Sequence, residues 1–584
     1  MSMRVLLVHP EDSPVLGPWA AQQWDLAVDL GQSTSFSQRR WSEVLRSPVL
    51  SPAYPPSDSG DTSGLREIFS AGRGYLVDDE GIDYWDLISL PFVHEALVAQ
   101  DMQRLVSELP ASGEFWCTRA DWPVSALLAL LSRPCTSFDA GLLERAKAGA
   151  RHYACVFQNF SPAQIKQIAF DKFDGDYKWR LHFARKEKPC RDRVVLIPSA
   201  YENVSRVAVD YAALVPEQEF LLVSTRRSGT HFAPRPNVTL RHLASYAERN
   251  RSRRDAGPLL LRWQELKKKL QATDLLRVLF QTSVFDTFDG WIRNSIAARN
   301  AWQAVFRDEP VGGVLCGDDT NPYTRLPVLL AARRKVTTLD FHHGALDGRY
   351  LFKHLPSDLY LAKNEMERDY LVRLCGLPAE KVVTFIPNAI STSTSPALRK
   401  GGQGSSLVLF SEPYEVAGLR VEEVYRELLP NLWRVAQENG RNLVVKLHPF
   451  ESLSQRRRVI HHVLPGEIAN RTKLVDGPMM PELLESAWCG VTIESTTVLE
   501  CQRNGVCCFL CGWMRLSRFG YQQQYARFGI GAILRNREEI LEIPCRIGEF
   551  HERPVTHQRS SDPGLLREWI SGRICPHPEL KPAS

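Results

Sequence analysis

Asn442-Leu-Val-Val-Lys446-Leu-His448-Pro449-Phe-Glu451 is an apolar run that stops at a proline. Some fifty residues on, Gly490-Val-Thr-Ile-Glu494-Ser495-Thr496-Thr497-Val-Leu-Glu500 repeats the plan with hydroxyl residues in place of the proline. Proline donates no N–H and cannot continue a central strand, so the first stretch predicts a short strand with His448 at its carboxyl end. The second predicts another buried strand leading into a helix, with Thr497 and Glu500 spaced as a capping box. A helix N-terminus presents unpaired N–H groups and a positive dipole end, so Ser495, Thr496 and Thr497 are candidates to hold a phosphate. In open α/β sheets ligands bind outside the carboxyl ends of strands, where both steps fall, and the two are expected to share one ligand.

Working outward, strand and helix patterns alternate upstream. Strands are expected at 193–198, 219–223, 238–242, 313–316, 337–341, 358–361 and 382–386, with a helix-compatible stretch at 205–214 and a mostly helical region over 258–306. Such alternation argues for a parallel sheet. The polar tract 391–404 reads as a linker. Beyond it strands are expected at 406–410, 443–447, 491–493 and 506–510, and a long helix ends near Gly440. The chain starts with a strand, Arg4-Val-Leu-Leu-Val8, entering a polar turn at Glu11 and Asp12, and it predicts a small α/β unit with an exposed loop at 51–64. The expected division is 1–185, 190–392, 405–545 and a tail, 546–584, whose amphipathic piece at 564–570 crosses back onto the preceding unit. No short internal repeat is present.

The chain has 584 residues, 44% hydrophobic and 24% charged, with a net charge of +5. That length permits three or four domains, and nothing in the balance argues for a nucleic-acid partner. The basic clusters at Arg251, Arg253 and Arg254, at Lys267–Lys269 by number, and at Arg456, Arg457 and Arg458 read as solvated helix faces, with contact to anionic lipid as the other reading. No apolar run approaches a membrane span, and residues 4–8 are too short for a secretory signal. The expectation is a cytoplasmic protein, with peripheral contact at the inner face of the membrane as its one membrane role. Thirteen cysteines, many inside apolar runs, read as reduced core thiols. Cys508-x-x-Cys511 lacks the second pair a structural zinc needs, so no metal site is expected.

Two further constellations follow strand ends. Gly317-Asp318-Asp319-Thr320-Asn321-Pro322 sets two adjacent carboxylates where they are costly unless solvated or used as base or nucleophile. Ordinary Asx-turn chemistry is the alternative. Asp319 is the first choice, with Thr320 and Asn321 to orient it, and Asp318 is close behind; Glu11, Asp12 and Glu202 are the next acids. Asp340-Phe-His342-His343-Gly344 offers a glycine that admits close backbone approach and His343 as a hydrogen-bond donor. Adjacent histidines on extended backbone point to opposite faces, so at most one faces a cleft.

On these motifs the chain resembles, over roughly 190–545, the bacterial B-type (GT-B) glycosyltransferases that pair a His-Pro with a Ser/Thr step. These are sialyltransferases, transferases of 3-deoxy-octulosonic acid, and polyol-phosphate polymerases related to teichoic acid synthesis. The resemblance implies two Rossmann-like α/β domains facing a cleft, preceded here by an N-terminal α/β accessory domain. It implies that His448, Pro449 and the hydroxyls Ser495, Thr496 and Thr497 meet the phosphate of CMP or CDP. Those families carry an acidic motif ending in glycine where this chain has Thr320, and a His-Gly step where it has His343 and Gly344.

The implied activity is metal-independent transfer of a sugar from a nucleotide-activated donor, a CMP-sugar favoured, onto a surface-glycan or lipid-linked acceptor. The nucleotide-sugar is then a substrate, and no cofactor is expected. Lys446, His448 and the 495–497 turn would balance the leaving nucleotide's charge, while Glu412, Glu494 and, more weakly, Asn388 would line the donor pocket. The alternatives are a CDP-polyol phosphotransferase of teichoic-acid type, using the same groups, and a non-catalytic glycan-assembly scaffold. A nucleotide-sugar 2-epimerase shares the fold but needs several acidic and basic groups around one sugar.

Overall fold

A computed structural model describes residues 2–52, 66, 69–138, 188–226, 235–247, 251–271, 274–282, 284–342, 344, 354–385, 404–449, 451–477, 479–514, 516, 522–551 and 562–571. His343, Asn388, nearly all of the expected loop at 51–64 and the expected linker at 391–404 lie outside them. The described strands form three sheets in which every pairing is parallel.

The first sheet contains β1 (Arg4–Val8), β2 (Leu26–Asp29), β3 (Val49–Leu50), β4 (Glu114–Cys117) and β5 (Cys135–Ser137), in the order β3-β2-β1-β4-β5. The second contains β6 (Val194–Ser199), β7 (Glu219–Ser224), β8 (Val238–His242), β9 (Val311–Cys316), β10 (Thr337–Phe341), β11 (Leu359–Ala362) and β12 (Val382–Thr384). Its order is β12-β11-β10-β9-β6-β7-β8. The third contains β13 (Ser406–Phe410), β14 (Asn442–Lys446), β15 (Lys473–Val475), β16 (Ala487–Thr492), β17 (Cys507–Cys511) and β18 (Ala532–Leu534), in the order β15-β14-β13-β16-β17-β18. Central strands such as β6, β13 and β17 are buried along their whole length. Parallel sheets covered by helices on both faces require this, and it explains why these strands read as apolar runs without alternation.

Each sheet is doubly wound, and each has one point where the chain reverses direction across it. These points lie between β1 and β4, between β6 and β9, and between β13 and β16. Loops leaving such a pair part to opposite faces and open a crevice at the carboxyl edge.

The first unit joins the other two by different physics. Towards the second it shares an apolar core. Trp85, on the helix Tyr84–Ile88, stacks 6.4 Å from Trp263, which lies 4.1 Å from Phe288, and Phe92 lies 5.0 Å from Phe285. Each such ring removes about 150–250 Å² from water, worth roughly 4–6 kcal/mol at about 25 cal/mol per Å².

Towards the third unit the contact is polar, and it lies at the carboxyl ends of β1 and β2. Arg420 makes a two-pronged ion pair to Asp29 at 2.7 and 3.0 Å, donates to the carbonyls of Asp12 and His9, and lies 5.0 Å over the Trp41 ring. Beside it Ser37 and Arg40 bond to Glu423, and Thr34 bonds to Glu427. Glu11 and Asp12 are taken by Arg119.

The second and third units also share a core, in which Tyr360, Met366 and Tyr370 meet Val408, Phe410 and Tyr525. The helix Pro563–Ile570 returns to the second unit, where Trp569 packs 5.7 Å from Phe385. No helix among the described residues is long and apolar enough to cross a membrane.

Candidate functional site

At the third sheet's crevice, between β13 and β16 with β14 alongside, the sequence-derived residues converge. Glu412 follows β13 and is 4% exposed. Its Oε1 accepts from Thr492 Oγ1 at 2.7 Å and from the N–H groups of Ile493 and Glu494, each at 2.9 Å. The expectation that it meets a ligand's hydroxyls is corrected: a buried carboxyl takes the first N–H groups of the turn as an internal anion would. Burial pushes it up to about 7 against the pull of those donors.

A carboxyl at about 7 when folded and 4.5 when unfolded binds more protons in the native state. Its contribution to stability is therefore full below pH 4.5 and lost as pH rises through about 7. Glu412→Gln keeps the acceptor and removes the titration. Its stability relative to wild type is expected to grow by on the order of 3 kcal/mol between pH 4 and pH 8. Denaturant titrations at both pH values check this, and a pH-independent difference would contradict it.

At the end of β14, Lys446 is buried, and its Nζ donates to the carbonyls of Leu447 at 2.8 Å and Gly477 at 2.7 Å. Two of its three donors are thereby committed, and the one to Gly477 ties β14 to the turn after β15. Burial lowers the ammonium below the usual lysine range, opposed by Asp476, Glu451 and Glu500.

His448 is half-buried, and burial, helped by Lys446, lowers its imidazole below the usual histidine range. Its backbone N–H donates to Glu451 Oε2 at 2.7 Å, and Glu451 N–H returns to the His448 carbonyl at 2.9 Å. Glu451 Oε1 accepts in turn from Ser411 Oγ at 2.8 Å and Arg456 Nε at 2.6 Å, and Arg456 is held by both oxygens of Glu415. Glu451 was missed as a positioning residue, although its spacing of three from His448 across a proline is the signal of a side chain closing a turn. Arg456 is 4% exposed, not a solvated charge as its basic cluster suggested. Pro449 is exposed and ends the strand.

After β16 the expected capping box does not form. The helix runs Thr497–Arg503 with Thr496 as its N-cap and no side-chain cap bond, because Ser495 Oγ takes the Thr497 N–H at 3.3 Å. Glu494 is buried and accepts from the Leu516 N–H at 3.2 Å, so it holds the loop after β17. Thr497 Oγ1 is buried and has no hydrogen-bond partner among the described residues. What the turn offers a ligand is the hydroxyls of Ser495 and Thr496, at the end of β16, with the His448 turn at the end of β14 on the other side of β13.

At the second sheet's carboxyl edge the two adjacent acids part company. Asp319 is fully buried; its carboxylate pairs with Arg325 at 3.3 Å, and Arg325 reaches Asp86 of the first unit at 2.7 Å and the His354 carbonyl. Burial works to raise Asp86, but Arg325 and Arg73 outweigh it and the net shift is downward. Asp319 is therefore a structural ion-pair partner, and its rank ahead of Asp318 is reversed.

Asp318 accepts from Thr320 Oγ1 at 2.7 Å, and Asn321 caps the helix Pro322–Arg333 by accepting the Tyr323 N–H at 3.0 Å. On the neighbouring strand Asp340 is buried, its Oδ2 without a partner among the described residues. Burial raises it well above the carboxylate range, Arg325 opposes and Asp318 adds to the rise. His342 is 9% exposed, whereas Gly344 offers its carbonyl to Lys363 Nζ. Lys363, at the end of β11 and paired with Glu367 at 3.0 Å, is a cation that sequence reasoning passed over. Glu202 is taken by Arg206.

Tyr525 of the third unit packs in the core that it shares with the second. Burial raises its phenol, and Glu367 of the second unit and Glu494 and Glu412 of the third raise it further. Among the described residues no group of three or more His, Cys, Asp or Glu stands together as a metal site.

No protein-family model matches the chain, and no curated protein matches it. Solved structures similar to it include the UDP-N-acetylglucosamine 2-epimerase of Neisseria meningitidis bound to its nucleotide-sugar, at 12% identity and TM-score 0.37, covering 65% of this chain and 98% of that one. A glycosyltransferase of Rickettsia africae is similar at 9% identity and TM-score 0.38, over 66% and 94% of the two chains. The calicheamicin glycosyltransferase is similar at 13% identity and TM-score 0.35, over 65% and 93%. The class assigned here, a protein of three doubly wound parallel α/β sheets, rests on the strand orders themselves.

Proposed function

We propose that the chain is a glycosyltransferase that takes a sugar from a nucleotide-activated donor, a CMP-sugar favoured, and passes it to a surface-glycan or lipid-linked acceptor. The observation that carries this reading is the convergence at one crevice of the ends of β13, β14 and β16. There a His-Pro turn braced by Glu451 and a hydroxyl turn braced by Glu412 leave the strands on either side of β13. The donor's phosphate sits against His448 and the hydroxyls of Ser495, Thr496 and Thr497, with the remaining Lys446 donor behind it. In the free protein the imidazole is held towards its neutral form, and an arriving phosphate draws a proton onto it. Leaving-group charge is thus met by preorganised donors in a partly dry crevice. Asp318, across the cleft, takes the proton from the acceptor hydroxyl.

A thermal-shift panel of nucleotides tests the reading. A ligand at 100 times its Kd adds about 2.7 kcal/mol to stability, so CMP or CDP is expected to raise Tm measurably. Silence across the panel would leave the scaffold reading, and a response to CDP-glycerol in transfer assays would move the donor to a polyol phosphate. Because Lys446 and His448 supply positive charge at the phosphate, turnover is expected to survive exhaustive EDTA. Complete loss, restored by Mg²⁺ or Mn²⁺, would contradict the metal-independent mechanism.

A further inference from the structure

The second sheet's crevice, between β6 and β9, carries donors that the roles above leave unused. Tyr201 follows β6, Arg226 follows β7, and Asn321 lies on the loop leaving β9. The Arg226 guanidinium lies over the Tyr201 ring, 4.9 Å from its centroid, and donates to the phenol oxygen at 3.1 Å. Asn321 Nδ2 donates to the same oxygen at 3.4 Å. A phenol oxygen that accepts twice still has its own O–H to give. Among the described residues that proton finds no acceptor, and Arg226 finds no carboxylate.

Other arginines around this sheet are neutralised: Arg325 by Asp86 and Asp319, Arg241 by Glu309, Arg206 by Glu202. Arg226 is half-buried and has no such partner among the described residues. Sinking a cation partly out of water is costly unless an anion meets it, and the ring beneath fixes where that anion must sit. One residue before Asn321, Thr320 holds the Asp318 carboxylate.

We infer that this crevice holds an anionic group of the acceptor, a phosphate or a carboxylate, with Arg226 and Tyr201 as its ligands, so that a neighbouring acceptor hydroxyl reaches Asp318. The term acceptor rests on the transferase reading; the anion site does not. A guanidinium meets either oxyanion with two parallel N–H donors. A neutral sugar leaves the cation unmatched.

The test uses full-length protein carrying His448→Ala, which removes the third sheet's phosphate ligand, titrated calorimetrically with glucose 6-phosphate, glucuronate and glucose. At least one anionic sugar is expected to bind, and which of the two binds tells phosphate from carboxylate. Adding Arg226→Ala is expected to weaken that binding about tenfold or more. Arg226→Lys should fall between, since it keeps the charge and loses the fork. Binding of neither anion, equal binding of glucose, or binding untouched by Arg226→Ala would each overturn the inference. Nucleotide affinity in an Arg226→Ala protein with His448 intact is expected to be unchanged. If no nucleotide binds wild type while anionic sugars bind through Arg226, the transferase reading fails and the anion site stands.

Discussion

Arg325→Leu is expected to lower the unfolding free energy by about 3–5 kcal/mol, the usual cost of removing one member of a buried ionic cluster. The side chain is fully buried and is shared by Asp319, Asp86 and the His354 carbonyl. Leucine would leave the buried Asp319 carboxyl without its cation and Asp86 with only the partly exposed Arg73 at 3.5 Å, beside an Asp340 already pushed towards its neutral form. Part of the loss should be recoverable in acid: Asp86 is lowered in the native protein, so its contribution is present above the unfolded aspartate range and vanishes as pH falls through the folded one. Chemical denaturation at pH 7 and at a pH well below the ordinary aspartate value of 3.8 measures both effects. A loss below about 1 kcal/mol at pH 7, of the size usual for an exposed pair, would show the cluster to be solvated.

Asp318→Asn is expected to cut turnover by roughly 10²-fold or more while leaving CMP or CDP affinity within a factor of two, since proton transfer is lost and the donor crevice is untouched. Asp319→Asn should do the reverse and register mainly as lost stability, because its carboxylate serves Arg325. The readout is nucleotide release from whichever donor binds, beside denaturation of both variants. Near-normal turnover in Asp318→Asn with an inactive, stably folded Asp319→Asn would restore the order that adjacency alone suggested.

The contrast between those two acids shows where sequence stops being legible. That a carboxylate pair follows a strand could be read from Cys316-Gly317-Asp318-Asp319. Which one is consumed depends on Arg325, six positions on, and on Asp86, which comes from a helix of the first unit. Long apolar runs such as those of β6 and β13 announced themselves, whereas β3, β5, β15 and β18, of two or three residues each, carry no period to detect. His448 was visible because a proline ends its strand. The group that fixes its turn, Glu451 with Arg456 behind it, was not, because its partners Ser411 and Glu415 are some forty residues away in sequence. The capping box was a sound local expectation that lost to a competing local bond, Ser495 Oγ with the Thr497 N–H. Glu412 was placed at the correct strand end with the wrong orientation, since nothing local distinguishes a carboxylate that meets ligand from one that organises the turn beneath it.

The most direct test of the account is calorimetric titration of CMP and CDP into wild type and His448→Ala. A charge-assisted contact to phosphate is worth about 1.5–3 kcal/mol, so the variant is expected to bind about 10- to 150-fold more weakly while keeping its fold. Wild-type affinity should also strengthen as pH falls from 7.5 to 6, because binding protonates an imidazole that burial otherwise keeps neutral. Equal affinity in the two proteins, with no pH dependence, would mean that the His-Pro turn only ends a strand and that the third sheet's crevice is not a nucleotide site.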